Sequence, residues 1–116
     1  MAFSILVADD ESNIRTLLIR VLEASGHQVT AAADGRAALE RMTAEEFDLI
    51  ICDQSMPHAT GEQVAAVARA TKPKTKVILL TGNPDRSGRL PAGVHLILTK
   101  PLSISDLREA IEQLMG

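Results

Sequence analysis

The chain has 116 residues, which is enough for one domain with a single hydrophobic core but too few for two. Hydrophobic residues make up 46% of it and are almost all non-aromatic, and the formal charge of −3 argues against the clustered basic surface typical of nucleic-acid-binding proteins. A single cysteine excludes an internal disulfide, and no apolar run approaches the roughly 20 residues of a membrane span. We therefore expect one cytoplasmic domain over residues 1–116, with neither nucleic acid nor membrane among its partners.

Short apolar runs alternate with helical patterns along the chain. Runs rich in branched residues predict five strands, at residues 3–8, 27–31, 49–52, 76–81 and 94–99. Apolar residues at helical spacing predict four helices, from a Ser12 N-cap to Gly26, at 36–42, at 62–70, and from a Ser103 N-cap towards the C-terminus. This alternation predicts βαβ units.

The predicted fold class is α/β. Repeated βαβ units form a single doubly wound parallel sheet of five strands with helices on both faces. One connection departs from the pattern, because residues 82–93 contain three Gly and two Pro in twelve positions. Glycine is unfavourable inside a helix and proline blocks its continuation, so we expect the fourth helix of the fold, between the fourth and fifth strands, to be short or missing.

Polar side chains follow four of the five predicted strands. Asp9 and Asp10 follow the first strand, Asp53 the third, Thr81 ends the fourth, and Lys100 follows the fifth. Because parallel strands end at one edge of a sheet, we expect these side chains to converge there. Three carboxylates in contact repel one another, and Mg²⁺, which prefers such oxygen ligands, relieves that repulsion. Asp53 is then the candidate acceptor of a phosphoryl group, with Thr81 and Lys100 available to bind it.

The chain resembles, from end to end, the receiver domain of response regulators in two-component signalling. The matching positions, in chain order, are Asp9-Asp10, Asp53 with Met56-Pro57, Gly61, Thr81-Gly82 and Lys100-Pro101. The resemblance implies the flavodoxin-like strand order 2-1-3-4-5 and a cis Lys100–Pro101 bond. The chain departs from the family at Ile97, where an aromatic residue is often found, and in its short segment between Thr81 and Lys100.

The resemblance also implies a role for each site residue. Asp53 is the phosphoacceptor, and Thr81 and Lys100 are its catalytic partners, binding the phosphoryl group. The implied Mg²⁺ ligands are Asp10, Asp53 and the backbone carbonyl of Ser55, with Asp9 helping directly or through water. A chain of this kind catalyses only its own phosphorylation and dephosphorylation, so we do not expect a conventional enzyme.

The function implied is a phosphoacceptor signalling switch. The phosphoryl donor would be a phosphohistidine on a sensor histidine kinase or a histidine phosphotransfer protein, and the output would be altered binding of a downstream protein target. One alternative is a receiver-like interaction module that works without phosphorylation, against which the complete Asp, Thr and Lys set argues. The other is a phosphohydrolase with an aspartyl nucleophile, which usually has a second acid where Ser55 stands.

Overall fold

The computed structural model describes residues 2–83 and 87–116. In chain order its elements are β1 (Ser4–Ala8), α1 (Ser12–Ala24), β2 (Gln28–Ala32), α2 (Gly35–Ala44), β3 (Leu49–Asp53), α3 (Gly61–Thr71), β4 (Lys76–Thr81), β5 (Leu96–Thr99) and α4 (Ile104–Met115). All neighbouring strands are parallel and the sheet order is β2-β1-β3-β4-β5. The predicted fold class and strand order are therefore confirmed. No helix in these two ranges is long and apolar enough to cross a lipid bilayer.

Helices cover both faces of the sheet. Alternate β3 residues Ile50 and Cys52 pack with α2 and α3, whereas Leu49 and Ile51 pack with α1 and α4. All five β3 residues are buried, because a central parallel strand has helices above and below it. The two apolar layers thus fix the central strand, and with it Asp53, from both sides.

The register brings the ends of the strands to one edge. Ala8 of β1 pairs with Cys52 of β3, and Thr81 of β4 pairs with Thr99 of β5. The residues that come next on β1, β3 and β5 are the acidic and basic side chains singled out in the sequence. The topology therefore delivers them to a common site.

The N-cap predicted for α1 is wrong by one residue. Glu11 is the N-cap and Ser12 already lies in the helix. The Asp9 side chain accepts a hydrogen bond from the Glu11 backbone N–H at 2.9 Å, which turns the chain directly after β1. At α4 the predicted cap is confirmed, because the Ser103 hydroxyl accepts the backbone N–H of Asp106.

The connection between β4 and β5 has no helix in the part that the structure describes. Residues 82–83 and 87–95 are turns, bends or irregular backbone, in agreement with the prediction of a short or missing helix. A helix start at Pro84 falls within residues 84–86, outside the described residues. The fifth strand also begins at Leu96, two residues later than predicted.

Two properties of this connection account for its irregular path. Gly88 and Gly93 have φ angles of 76° and 84°, a backbone conformation that ends helices. Leu90, the one large apolar side chain in residues 87–93, is 50% exposed and so adds little burial. Val94 instead enters the core, where it is 6% exposed next to β5.

Candidate functional site

Three carboxylates meet at the carboxyl edge of the sheet. Asp9, Asp10 and Asp53 each offer an oxygen, and these oxygens lie within 4.8 Å of one another. Asp9 and Asp53 are buried and Asp10 is exposed. The clustering predicted from the strand ends is thus present in the structure.

Lys100 reaches this cluster from the end of β5. Its Nζ lies 3.3 Å from an oxygen of Asp9, 3.3 Å from an oxygen of Asp53 and 3.1 Å from an oxygen of Glu11. The Lys100 backbone N–H donates to the Thr81 carbonyl at 2.8 Å, and the Lys100–Pro101 bond is cis, as the family resemblance implied. The ammonium is therefore held between carboxylates from both ends of the β1–α1 turn and from β3.

Burial and charge shift the pKa values of Asp9, Asp53 and Lys100. Burial raises the pKa of Asp53, the charge of Asp9 raises it further, and Lys100 opposes the rise. Burial likewise raises the pKa of Asp9, against hydrogen bonding from Glu11 and the charge of Lys100. Burial lowers the pKa of Lys100, but its bond to Glu11 and the charges of Asp9 and Asp53 outweigh this and leave that pKa raised. The Lys100 ammonium thus offsets only part of the negative charge of these carboxylates.

The donor set fits a hard divalent cation. One oxygen of Asp9, Oδ2, is buried and accepts no hydrogen bond from any residue in the described ranges, although it lies 3.3 Å from Lys100 Nζ. Lys100 Nζ is shared with Asp53 and Glu11, so it offsets only part of the negative charge around this buried oxygen, and a second cation would stabilise the group further. Carboxylate oxygens of this number and spacing are the ligands that Mg²⁺ prefers.

A surface cavity of ≈ 450 Å³ opens above these groups. Its lining residues are Asp10, Glu11, Asp53, Gln54, Ser55, Thr81, Gly82, Asn83 and Lys100. Apart from the fully buried Asp9, every site residue expected from the sequence lines this cavity. The β3–α3 loop closes tightly on one side, because a Cβ on Gly61 would lie 2.4 Å from the Asp53 carbonyl oxygen. The volume of the cavity is large enough for a phosphoryl group, and its lining includes carboxylate, ammonium, hydroxyl and amide groups.

Thr81 lies at the end of β4 and is 3% exposed. Its hydroxyl donates a hydrogen bond to the side-chain carbonyl of Gln54, and its oxygen accepts the backbone N–H of Asn83 at 3.1 Å. The hydroxyl that the family resemblance assigns to a phosphoryl group is therefore already hydrogen-bonded in this structure.

Sequence reasoning missed two residues of the site. Glu11 binds Lys100, and Gln54 binds Thr81. Glu11 directly follows Asp9-Asp10, so its position in the sequence could have marked it as a site residue. Its bond to Lys100, 89 positions away, cannot be predicted from residue spacing. Gln54 follows Asp53 and reads as an ordinary polar residue at the end of a strand.

Cys52, immediately before Asp53, takes no part in this chemistry. Burial, followed by the charge of Asp53, raises the pKa of its thiol to about 12. Reactive thiols have lowered rather than raised pKa values. Cys52 therefore acts as a small buried residue that packs β3 against α2 and α3.

Comparisons with known proteins agree with this geometry. The family model of the response regulator receiver domain matches residues 5–112. The response regulator receiver protein CpdR of Brucella abortus is 34% identical, over 96% of this chain and 95% of its own length. The sensor protein EvgS of Escherichia coli is 35% identical over 96% of this chain, which spans only 10% of EvgS.

Solved structures are similar across almost the whole chain. The response regulator TrrA of Thermotoga maritima, in complex with Mg(2+)-BeF, has a TM-score of 0.87 at 35% identity, covering 96% of this chain and 97% of TrrA. The chemotaxis response regulator CheY4 of Vibrio cholerae has a TM-score of 0.88 at 28% identity, covering 97% and 98%. With the sequence match, the fold and the carboxylate site in agreement, this chain belongs to the family of response regulator receiver domains.

Proposed function

We propose that this chain is a phosphoacceptor signalling switch. It takes a phosphoryl group from a phosphohistidine onto Asp53, in a reaction that depends on Mg²⁺, and its protein-binding surface changes as a result. The donor is a sensor histidine kinase or a histidine phosphotransfer protein, and the recipient of the signal is a downstream protein target. The chain acts on no separate substrate and catalyses only its own phosphorylation and dephosphorylation.

The observation that carries this proposal is the setting of the Asp53 carboxylate. It ends a fully buried strand, lines a cavity open to the surface, and has Lys100 Nζ 3.3 Å from one oxygen. A buried strand fixes the position of the nucleophile, and the nearby ammonium offsets negative charge that arrives with a phosphoryl group. Phosphoryl transfer requires positioning and charge stabilisation above all, and this site offers both.

The transfer exchanges one bond to phosphorus for another. An Asp53 carboxylate oxygen forms the new P–O bond while the P–N bond to the donor imidazole breaks, and the electron pair of that bond returns to the nitrogen. Burial raises the pKa of Asp53 in the metal-free protein, whereas Lys100 and a bound Mg²⁺ ion would favour its ionised, nucleophilic form. Lys100 and the Thr81 hydroxyl bind oxygens of the transferred group.

Asp10, Asp53 and the backbone carbonyl of Ser55 would hold the Mg²⁺ ion, with Asp9 binding directly or through water. The buried Asp9 Oδ2 supports this assignment, because it shares its Lys100 partner with Asp53 and Glu11. Bound there, the ion supplies charge neutralisation for the carboxylates and for the phosphoryl oxygens. TrrA, 35% identical to this chain, is described in complex with Mg(2+)-BeF, which supports the same pairing of metal and phosphoryl mimic here.

Incubation with Mg²⁺ and acetyl phosphate, followed by intact mass measurement, tests the proposal. We expect an adduct of one phosphoryl group that hydroxylamine removes, since the product is an acyl phosphate. Asp53→Asn should lose the adduct completely while keeping the fold, because the two side chains are nearly isosteric. Asp106→Asn changes an exposed aspartate on α4 in the same way and should phosphorylate as the wild type does.

Two results would contradict the proposal. Absence of any adduct on the wild-type chain, with Mg²⁺ present, would favour an interaction module that works without phosphorylation. Continuous hydrolysis of many phosphoester molecules per chain, without a trapped adduct, would favour a phosphohydrolase.

A further inference from the structure

Gln54 lies at the centre of a hydrogen-bonded chain that leads from the site to α3. Its side-chain carbonyl accepts the Thr81 hydroxyl, and its side-chain Nε2 donates to a carboxylate oxygen of Glu62 at 3.2 Å. Glu62 lies in the first turn of α3 and is exposed. A continuous path thus joins a buried residue of β4 to the protein surface through one half-buried amide.

The chemistry of the partners fixes the direction of every bond in this path. A carboxylate can only accept, so the Gln54 amide must turn its NH₂ group to Glu62 and its carbonyl to Thr81. The Thr81 oxygen already accepts the Asn83 N–H, and its single proton is the one given to Gln54. Thr81 therefore cannot donate to a phosphoryl oxygen until it releases Gln54.

Two hydrogen bonds fix the backbone of Gln54, while its side chain joins Thr81 to Glu62. Its N–H donates to the Leu80 carbonyl at 2.8 Å, and its carbonyl accepts the Gly61 N–H at 3.0 Å. One residue thus connects the ends of β3 and β4 with the start of α3. A change in the Gln54 side chain can act on Thr81 and α3 without moving the strand that carries Asp53.

We propose that Gln54 is a positioning residue that holds the Thr81 hydroxyl in the unphosphorylated state and passes its release to α3 through Glu62. The inference rests on the proposed function. When Asp53 carries a phosphoryl group, the Thr81 proton turns to a phosphoryl oxygen and the Gln54 carbonyl loses its donor. The amide is then free to reorient, and Glu62 loses a fixed partner. The start of α3 becomes a surface that reports phosphorylation.

The binding of Mg²⁺ and beryllium fluoride, a phosphoryl mimic, tests this proposal by titration. Gln54→Met keeps the length of the side chain but removes its hydrogen bonds, and Gln54→Leu serves as a second apolar variant. Both should bind the mimic about two- to tenfold more tightly than the wild type, the ratio that corresponds to one neutral hydrogen bond lost only from the resting state. Gln113→Met, the same change on an exposed position of α4, should leave the affinity unchanged.

A purely structural role of Gln54 predicts weaker binding, whereas a restraint on Thr81 predicts tighter binding. The gain should also depend on the hydroxyl, so Gln54→Met should have no effect on affinity in a Thr81→Val background. In the wild type, the backbone amide signals of residues 61–63 should shift when the mimic binds, and in Gln54→Met these shifts should shrink.

The outcomes separate this inference from the function on which it rests. If the wild type binds the mimic but Gln54→Met and Gln54→Leu bind it equally well or more weakly, the restraint on Thr81 is wrong and the phosphoacceptor function stands. A gain in affinity that persists in Thr81→Val would also overturn the restraint. A wild type that neither binds the mimic nor takes a phosphoryl group from acetyl phosphate would overturn both.

Discussion

Asp53 ends β3 and Lys100 follows β5, yet the two strands are held very differently. β3 is the central strand, and all five of its residues are buried. β5 is an edge strand whose first three residues are half-buried and whose last is exposed. Asp53 therefore lies in the best-packed part of the molecule, and Lys100 follows one of the least packed strands.

This difference in packing suits two different tasks, the chemical step at Asp53 and the conformational response of the protein. The proposed nucleophile, Asp53, needs a fixed position, and dense packing on both faces of β3 gives it one. A response needs alternative arrangements of small free-energy difference, and these are found where few apolar contacts are lost on moving. The irregular segment before β5 and the half-buried side chain of Gln54 are the groups through which the proposed response would pass.

Paired truncations measure the difference in packing most directly. Ile51→Ala on β3 should lower the free energy of unfolding by about 2–5 kcal/mol, because the side chain is fully buried. Leu98→Ala on β5 should lower it by no more than about half as much, since Leu98 is only half-buried. Urea unfolding of both variants checks this, and equal losses would remove the distinction between the strands.

Removal of one metal ligand should affect binding without affecting the packed core. Asp10→Ala should weaken Mg²⁺ affinity at least about tenfold, equivalent to about 1.4 kcal/mol, because the remaining carboxylates cannot complete the ligand set. Its stability without metal should stay within about 0.5 kcal/mol of the wild type, since Asp10 is exposed. Isothermal titration with Mg²⁺ and unfolding without it give both values; undiminished Mg²⁺ affinity would contradict the assigned site.

The raised pKa of Asp53 predicts a pH-dependent gain in stability when its charge is removed. In the metal-free protein the folded state favours protonated Asp53, so this group stabilises the fold below its unfolded pKa near 3.8 and loses that contribution as pH rises through the higher folded pKa. Asp53→Asn should therefore have a higher Tm than the wild type at neutral pH, and the difference should shrink as pH falls. Thermal unfolding across that range is the measurement; a Tm difference that grows in acid would contradict it.

We expect the smallest free energies of local opening in the connection between β4 and β5. Backbone amides of residues 88–90 and 92–93 should exchange far faster than those of β3, because Leu90 is half-exposed and two glycines have positive φ. Binding of Mg²⁺ and beryllium fluoride should slow that exchange if Thr81 engages the mimic. Amide exchange before and after addition tests both statements, and strong protection in the free protein would mean that this segment is already ordered.

The sequence predicted which residues meet at the strand ends, but it did not predict the hydrogen bonds between their side chains. The convergence of Asp9, Asp53 and Lys100 follows from a parallel topology, so residue order was enough to infer it. The bond between Thr81 and Gln54 joins residues 27 positions apart through one choice of rotamer, which no periodicity encodes. The start of α1 was misplaced for a related reason, since a side chain of the site turns the backbone there in place of a standard cap.

The buried thiol next to Asp53 also makes this molecule convenient for spectroscopy. Cys52 is the single cysteine of the chain, it is fully buried, and its pKa of about 12 keeps it protonated at neutral pH. Thiol-directed dyes and spin labels should therefore leave the native chain unmodified. A label at Leu90→Cys, on the exposed connection before β5, can then follow switching with the wild-type core intact.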